Sequence, residues 1–192
     1  VQTPVPNVPT LMSAGNEASG DTTRKTSASA RGAARLLAVQ ALYQLDIRGG
    51  EASKADATVQ EFLEHRTEIV DEEAETKVRL EADKALFADI VRGVSADQAN
   101  ILTSLDNCLD GNTTSGRLEP LLRAIMKAGI YELQTRDDIP ARVTISEYVH
   151  LTDAFFDSRE PGLVNAVLDR LARVLREDEI SNKDTAGDGA ED

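Results

Sequence analysis

The chain has 192 residues, a formal net charge of −13 and a single cysteine, Cys108. This length fits one domain with tails, and about 150 ordered residues would bury roughly 68 to 70% of their unfolded surface. One cysteine excludes an intrachain disulfide and favours a reducing compartment. The sequence lacks both the run of ~18 apolar residues that a membrane span needs and the apolar stretch of a signal peptide, so the expected location is cytoplasmic.

The negative charge is unevenly distributed along the chain. Residues 51–83 carry eleven acidic and four basic side chains, and residues 177–192 carry seven acidic and one basic. Residues 24–48 hold five basic side chains against Asp46 alone. Because phosphate binding depends on local basic clusters, a nucleic-acid site is compatible with this acidic chain.

Both ends of the chain are polar. Residues 1–30 are rich in Pro, Ser, Thr, Gly and Asn, and almost no large apolar residue follows Met12. We expect a disordered extension over 1–30, since little there would offset the entropy lost on ordering, and an acidic tail over 177–192. The folded domain is expected to span 31–176. Met12 is an alternative start to Val1.

Apolar residues recur at helical spacing between the tails. The first stripe follows the i, i+3, i+4, i+7 pattern up to a Gly49-Gly50 stop and comprises Ala34, Leu37, Ala38, Ala41, Leu42 and Leu45. A second, acidic helix begins near Ala55 and fades into a charged segment that is predicted to be partly loop. Residues 87–109 fit one long helix or two, with a break near Gly93 and Ser95.

The run 111–116 concentrates turn-forming residues, which predicts a loop. Three more helical stripes follow, and Pro120, Pro140 and Pro161 lie at or near their starts. No segment alternates convincingly over strand length. The sequence therefore predicts an all-α protein, a compact bundle of six or seven helices.

Motifs for catalysis and metal binding are missing from the sequence. His65 and His150 are the only histidines, neither lies in an HExxH motif, and no GxGxxG or GxxxxGK[ST] run occurs. Cys108 lies in a helical stripe, which favours a buried residue over a reactive thiol. We therefore expect no enzyme activity, no cofactor and no metal.

The first helix begins with a basic patch. Arg31 and Arg35 lie one turn apart, and Arg24 and Lys25 precede them. Cations at a helix N-terminus oppose the helix dipole, so this placement weakly favours an anionic partner over an ordinary solvated face. Tyr43 offers a flat ring on which an unpaired base can stack, although packing against the core explains it equally well.

Five sequence words follow one another in a recognisable order: ARGAARLLAVQALYQLD, FADIVRGV, IYEL, IP and VNAVLD. Their succession over residues 31–176 resembles the NusB family. The resemblance implies an all-α fold of two small subbundles. It also implies a transcription antitermination factor that binds boxA RNA of ribosomal RNA operon leaders with the ribosomal protein NusE, in a complex with other Nus factors and RNA polymerase.

The resemblance also assigns binding residues. The RNA-binding positions that it implies are Arg24, Lys25, Arg31, Arg35, Gln40, Tyr43 and Lys127. The positions that it implies for the protein partner are Phe155, Phe156, Arg159, Leu163 and Val164. The chain departs from the family in a thinner basic run and in Leu163, where an aromatic residue is common.

Two alternative functions are compatible with the sequence. A helical scaffold could bind proteins only, its basic patch being ordinary surface. A NusB-like module could regulate ribosomal RNA modification, because such domains occur fused to ribosomal RNA cytosine methyltransferases; the expectation that no methyl-donor domain follows Arg176 disfavours this reading.

Overall fold

The computed structural model describes residues 22–49, 52–66, 68–71, 78–111, 113–157 and 159–179. Within these ranges lie seven α-helices: α1 Thr22–Ile47, α2 Ala55–His65, α3 Lys84–Ala96, α4 Gln98–Cys108, α5 Pro120–Thr135, α6 Ala141–Asp153 and α7 Glu160–Leu175. Two short strands, β1 Glu68–Asp71 and β2 Val78–Glu81, and two 3-10 turns, Ala52–Lys54 and Ser115–Arg117, complete the described elements. The predicted all-α class is confirmed. Expectations for residues 1–21 and 180–192 lie outside the described residues.

The chain divides into two compact units, residues 1–97 and 98–192. In the first unit, α1 packs on α3, α2 and β2, and α2 packs on α3. The rings of Phe62 and Phe87 stack between α2 and α3 with centroids 5.8 Å apart. In the second unit, α5 packs on α4, α6 and α7. Each unit therefore has its own apolar core.

Helix α1 begins earlier than the sequence predicts. Residues 22–30 were expected to belong to a disordered extension, whereas the structure places them in α1. Lengthening an existing helix adds hydrogen bonds without a new nucleation step, and alanine, lysine and arginine are good helix formers. At the other end the helix stops as expected, and Gly49 adopts a positive φ of 104° that favours glycine.

The charged segment after α2 contains a β-hairpin that the sequence analysis missed. Strands β1 and β2 pair antiparallel, with Ile69 opposite Leu80 and Val70 opposite Arg79. Each strand has only four residues, which is too short for an alternating pattern to stand out among the surrounding charges. Ile69, Val70 and Val78 are β-branched residues of the kind that strands favour.

Residues 84–108 form two helices, not one. The break falls at Asp97, beyond the expected Gly93–Ser95 position. The Ser95 hydroxyl donates to the Val91 carbonyl oxygen at 2.7 Å, so this serine is accommodated inside α3.

Arg176 ties the end of α7 to the link between α5 and α6. Its guanidinium donates to the carbonyl oxygens of Leu133 at 2.7 Å, Ile139 at 2.8 Å and Arg136 at 2.9 Å. A few residues on, the Glu179 carboxylate accepts from the Ala141 backbone N–H at 3.0 Å, at the start of α6. The described fold therefore continues through Glu179, and residues 177–179 are not part of a free tail.

Candidate nucleic-acid interface

The predicted RNA-binding residues of α1 differ in their exposure. Ten consecutive residues, 33–42, are buried. The helix is therefore enclosed on all faces over this stretch, and not only along its apolar stripe. Arg35 is 4% exposed and Gln40 8% exposed. Neither side chain offers much surface to a strand of RNA. Their assignment to RNA binding stays a prediction.

Arg31 and Tyr43 flank this buried stretch. Arg31 is exposed and Tyr43 is half-buried, so each offers surface to a ligand. Arg24 and Lys25 belong to the first turns of α1. Since Arg24 precedes Arg31 by seven residues, about two turns, both backbone positions lie on the same face of the helix.

Lys127 lies on α5 in the second unit and is 2% exposed. A charged group with so little exposure is expected to be paired within the protein. The Lys127 side chain therefore has almost no exposed surface that a ligand could contact. The sequence could place this lysine on a helix but could not reveal that packing encloses it.

A shallow open groove of about 520 Å³ runs beside Arg31. Helix α1 contributes Ala30 and Arg31 to its lining, the end of β2 contributes Glu81, and the β2–α3 link contributes Ala82 and Asp83. The two sides are joined by a hydrogen bond from the Asp83 backbone N–H to the Ala30 carbonyl oxygen at 3.0 Å. The groove is therefore built on backbone contacts that fix the start of α3 against α1.

Two carboxylates line this groove, and a lysine lies next to one of them. The Asp83 carboxylate accepts from the Leu86 backbone N–H at 3.0 Å and caps the N-terminus of α3. Glu81 and Lys84 form an exposed ion pair at 2.8 Å. The hydrogen bond from Lys84 and the charge of its ammonium lower the pKa of Glu81, so this carboxylate is ionised at neutral pH. The groove thus presents separate positive and negative groups.

The acidic side of the groove, Glu81 and Asp83, was not predicted from the sequence. Its position depends on the hairpin, which was not predicted. A signal for part of it was present, because Asp83 precedes the apolar run of α3 as an N-cap residue does.

The predicted partner surface lies at the link between α6 and α7. The backbone N–H groups of Phe155 and Phe156 both donate to the Thr152 carbonyl oxygen, and both side chains are half-buried. Arg159 is exposed and Leu163 half-buried, whereas Val164 is fully buried in the core. Four of the five predicted residues therefore present surface here, and Val164 packs inside the unit.

The described ranges of the chain hold no group of three or more His, Cys, Asp or Glu side chains that is able to bind a metal. They also hold no helix that is both long and apolar enough to cross a bilayer. Cys108 is buried, and burial raises the pKa of its thiol, although the charge of Arg170 partly opposes this.

The fold is that of an all-α protein, and a groove with charges of both signs lies beside the N-terminal half of α1. A sequence model described as the NusB family matches residues 32–173. The chain belongs to the NusB family.

Curated relatives cover most of the chain. It is 46% identical over 154 residues to the transcription antitermination protein NusB of Rhodopseudomonas palustris strain HaA2, covering 80% of this chain and 88% of the relative. It is 47% identical over 156 residues to the protein of the same name from Bradyrhizobium sp. strain BTAi1, covering 81% and 89%.

A solved structure shows the same fold. The structure of T. maritima NusB matches with a TM-score of 0.60 and 24% sequence identity, covering 79% of this chain and 96% of the other. At this identity the match supports the architecture alone.

Proposed function

We propose that this NusB-family transcription antitermination factor binds boxA-type single-stranded RNA of ribosomal RNA operon leaders together with the ribosomal protein NusE, as part of an RNA polymerase antitermination complex with other Nus factors. The observation that carries the proposal is the exposed Arg31 beside an open groove in the N-terminal half of α1. A basic side chain beside an open groove is a suitable site for single-stranded RNA, because the side chain can bind a phosphate while the groove holds a base.

Exposure separates Arg31 and Tyr43 from Arg35, Gln40 and Lys127 among the proposed RNA-binding residues. Arg24, Lys25 and Arg31 are proposed to neutralise phosphates, and Tyr43 to stack on a base. Arg35 and Gln40 are proposed to hold α1 in place from within, because both are buried. Lys127 contributes no contact in this scheme. For NusE we propose the exposed and half-buried residues of the α6–α7 link and of the first turn of α7, which are Phe155, Phe156, Arg159 and Leu163.

The proposed mechanism is assembly and not catalysis. A protein that holds an RNA segment and a ribosomal protein at once raises the local concentration of each for the other. Each binary contact can then be weak while the complete assembly is stable.

The decisive experiment is a titration of the purified full chain with boxA RNA and with a scrambled RNA of equal composition, with and without NusE. We expect tighter binding to boxA, and a further gain when NusE is present. Arg31→Ala should weaken the binding of both RNAs to similar extents, because phosphate contacts carry no sequence information. Arg173→Ala is the matched control, since it removes one exposed arginine from α7.

A scaffold that binds proteins alone is the second candidate, and the burial of Arg35, Gln40 and Lys127 favours it. NusE binding without measurable affinity for either RNA would support that scaffold and refute RNA binding. Arg159→Ala tests the proposed NusE surface by calorimetry, again against Arg173→Ala. Unchanged NusE affinity in Arg159→Ala would contradict a contact at this residue.

A further inference from the structure

The groove beside Arg31 is unusual for a phosphate site because carboxylates line it. Arg31 stands on the α1 side, and Glu81 and Asp83 stand on the side of the β2–α3 link. The side chain of Glu81 is 72% exposed, so its carboxylate is open to a ligand in the groove.

An RNA strand in this groove meets opposite charges on its two sides. Phosphates are attracted to the Arg31 guanidinium and repelled by the exposed Glu81 carboxylate. The sugar-phosphate backbone is therefore favoured on the α1 side. The bases then face the β2–α3 link.

Ionised carboxylates accept hydrogen bonds and cannot donate them. They therefore select base edges that carry donors. Among the four RNA bases, guanine alone presents two adjacent N–H donors on its Watson–Crick edge, N1–H and N2–H, and these match the two oxygens of one carboxylate. Adenine, cytosine and uracil each place an acceptor beside their donor, which a carboxylate repels.

We propose that the groove lined by Arg31, Glu81 and Asp83 reads one unpaired guanine, with the Glu81 carboxylate accepting from N1–H and N2–H while Arg31 holds an adjacent phosphate. This inference rests on the proposed RNA binding and adds a residue that determines specificity. The ion pair joins the Lys84 ammonium to Oε1 of Glu81. It does not prevent guanine binding, because an exposed ion pair contributes little free energy and can be exchanged for the contact with the base.

The test uses three fluorescent oligonucleotides of about twelve residues: all uridine, one central guanosine, and one central inosine, which lacks the N2 amino group. Anisotropy titrations of the full chain at fixed ionic strength give the three dissociation constants. We expect the guanosine oligonucleotide to bind about fivefold or more tighter than all-uridine RNA, with inosine between them, as for other bidentate base contacts.

Glu81→Gln should bring the three dissociation constants to within about twofold of one another, because an amide offers a donor where guanine needs an acceptor. Glu64→Gln is the matched control: it removes one exposed negative charge from α2 of the same unit and should leave the guanosine preference intact. Lys84→Ala should weaken all three oligonucleotides together and keep the preference. Loss of the preference in Lys84→Ala would instead mean that Glu81 acts only by positioning Lys84, which overturns the proposal.

The outcomes separate this inference from the proposed function. Binding of all three oligonucleotides with equal affinity by the unaltered chain would refute guanine reading and leave RNA binding standing. A guanosine preference that survives in Glu81→Gln would also refute it. No binding of any RNA, including boxA, would refute both proposals.

Discussion

Arg176 is a charged residue whose role is structural. It is 7% exposed, and its guanidinium donates to backbone carbonyl oxygens at the end of α5 and in the α5–α6 link. The Leu133 oxygen is among the last carbonyls of α5, which lack an intrahelical donor, so removing the guanidinium leaves a buried acceptor unsatisfied. The Arg136 oxygen also accepts from the Ile139 backbone N–H at 3.2 Å. The sequence showed only an arginine before an acidic tail, and its position as a cap depends on chain segments about 40 residues away.

We expect Arg176→Ala to lower the free energy of unfolding by about 2 to 4 kcal/mol, since several charge-assisted hydrogen bonds are lost at once. Arg176→Lys should recover only part of this, because an ammonium cannot reach all the carbonyls that the guanidinium fork does. Urea unfolding followed by circular dichroism measures both. Arg173→Ala, on the exposed face of the same helix, should change stability by no more than about 0.5 kcal/mol. Equal effects at the two positions would contradict a capping role for Arg176.

Cys108 should be an unreactive thiol. Burial raises the pKa of its thiol, so less of it is thiolate at a given pH, and the thiolate is the reactive form. At pH 8 we expect alkylation by iodoacetamide to be about tenfold or more slower in the native chain than in urea-unfolded chain. Because the folded state holds the proton to higher pH, any contribution to stability is present below the unfolded thiol pKa and is lost as the pH rises through the folded one. Rapid labelling of the native protein would show that the site opens.

At the scale of elements, Gly129 determines how closely three helices approach. A Cβ atom on this residue of α5 would lie 3.0 Å from Leu168 Cδ1 on α7 and 3.2 Å from Tyr148 Cδ2 on α6. Tyr148 is itself fixed, because its hydroxyl donates to the buried Glu132 carboxylate at 2.7 Å. The glycine therefore contributes space that neighbouring side chains fill.

Gly129→Ala should destabilise the chain by about 1 kcal/mol, since overpacking costs more than the gain of roughly 1 kcal/mol in helix propensity. Leu168→Ala removes the side chain that the new methyl group would meet. The double variant should therefore be more stable than the sum of the two single effects by about 0.5 kcal/mol or more in thermal unfolding. Gly116→Ala, where no atom lies within 4 Å of the added carbon, is the control. Strict additivity at Gly129 and Leu168 would show that the two sites do not touch.

The elements differ in how far the sequence could predict them. Stripes such as Val164, Val167, Leu168 and Leu171 predict helices well, because burial on one face imposes the 3.6-residue period. The apolar stripe does not predict where the polar N-terminal part of α1 begins, because the helix is extended there by backbone hydrogen bonds and not by burial of apolar side chains. The β1–β2 hairpin was missed for a related reason: strand pairing joins residues that are not neighbours in the sequence, such as Glu68 and Glu81, and a local window does not detect it.

At the scale of the whole molecule, charge and burial together change the expected RNA site. Sequence analysis could locate the basic run but could not separate exposed from enclosed cations, because that depends on how helices pack. With Arg35 and Lys127 buried, three proposed phosphate contacts remain in the N-terminal half of α1: Arg24, Lys25 and Arg31. The net charge of −13 makes the overall field repulsive to RNA, so binding must depend on these few local contacts.

Salt dependence tests this arrangement. Each phosphate contact on a single strand adds about −0.7 to the slope of log affinity against log salt concentration, so three contacts predict a slope of about −2. Arg31→Ala should make the slope shallower by about 0.7, and Arg173→Ala should leave it unchanged. Arg35→Ala should lower the free energy of unfolding instead, since this arginine is enclosed by α1 and its neighbours. A slope that shifts in Arg35→Ala but not in Arg31→Ala would mean that the RNA reaches the buried cation, and the groove beside Arg31 would then not be the binding site.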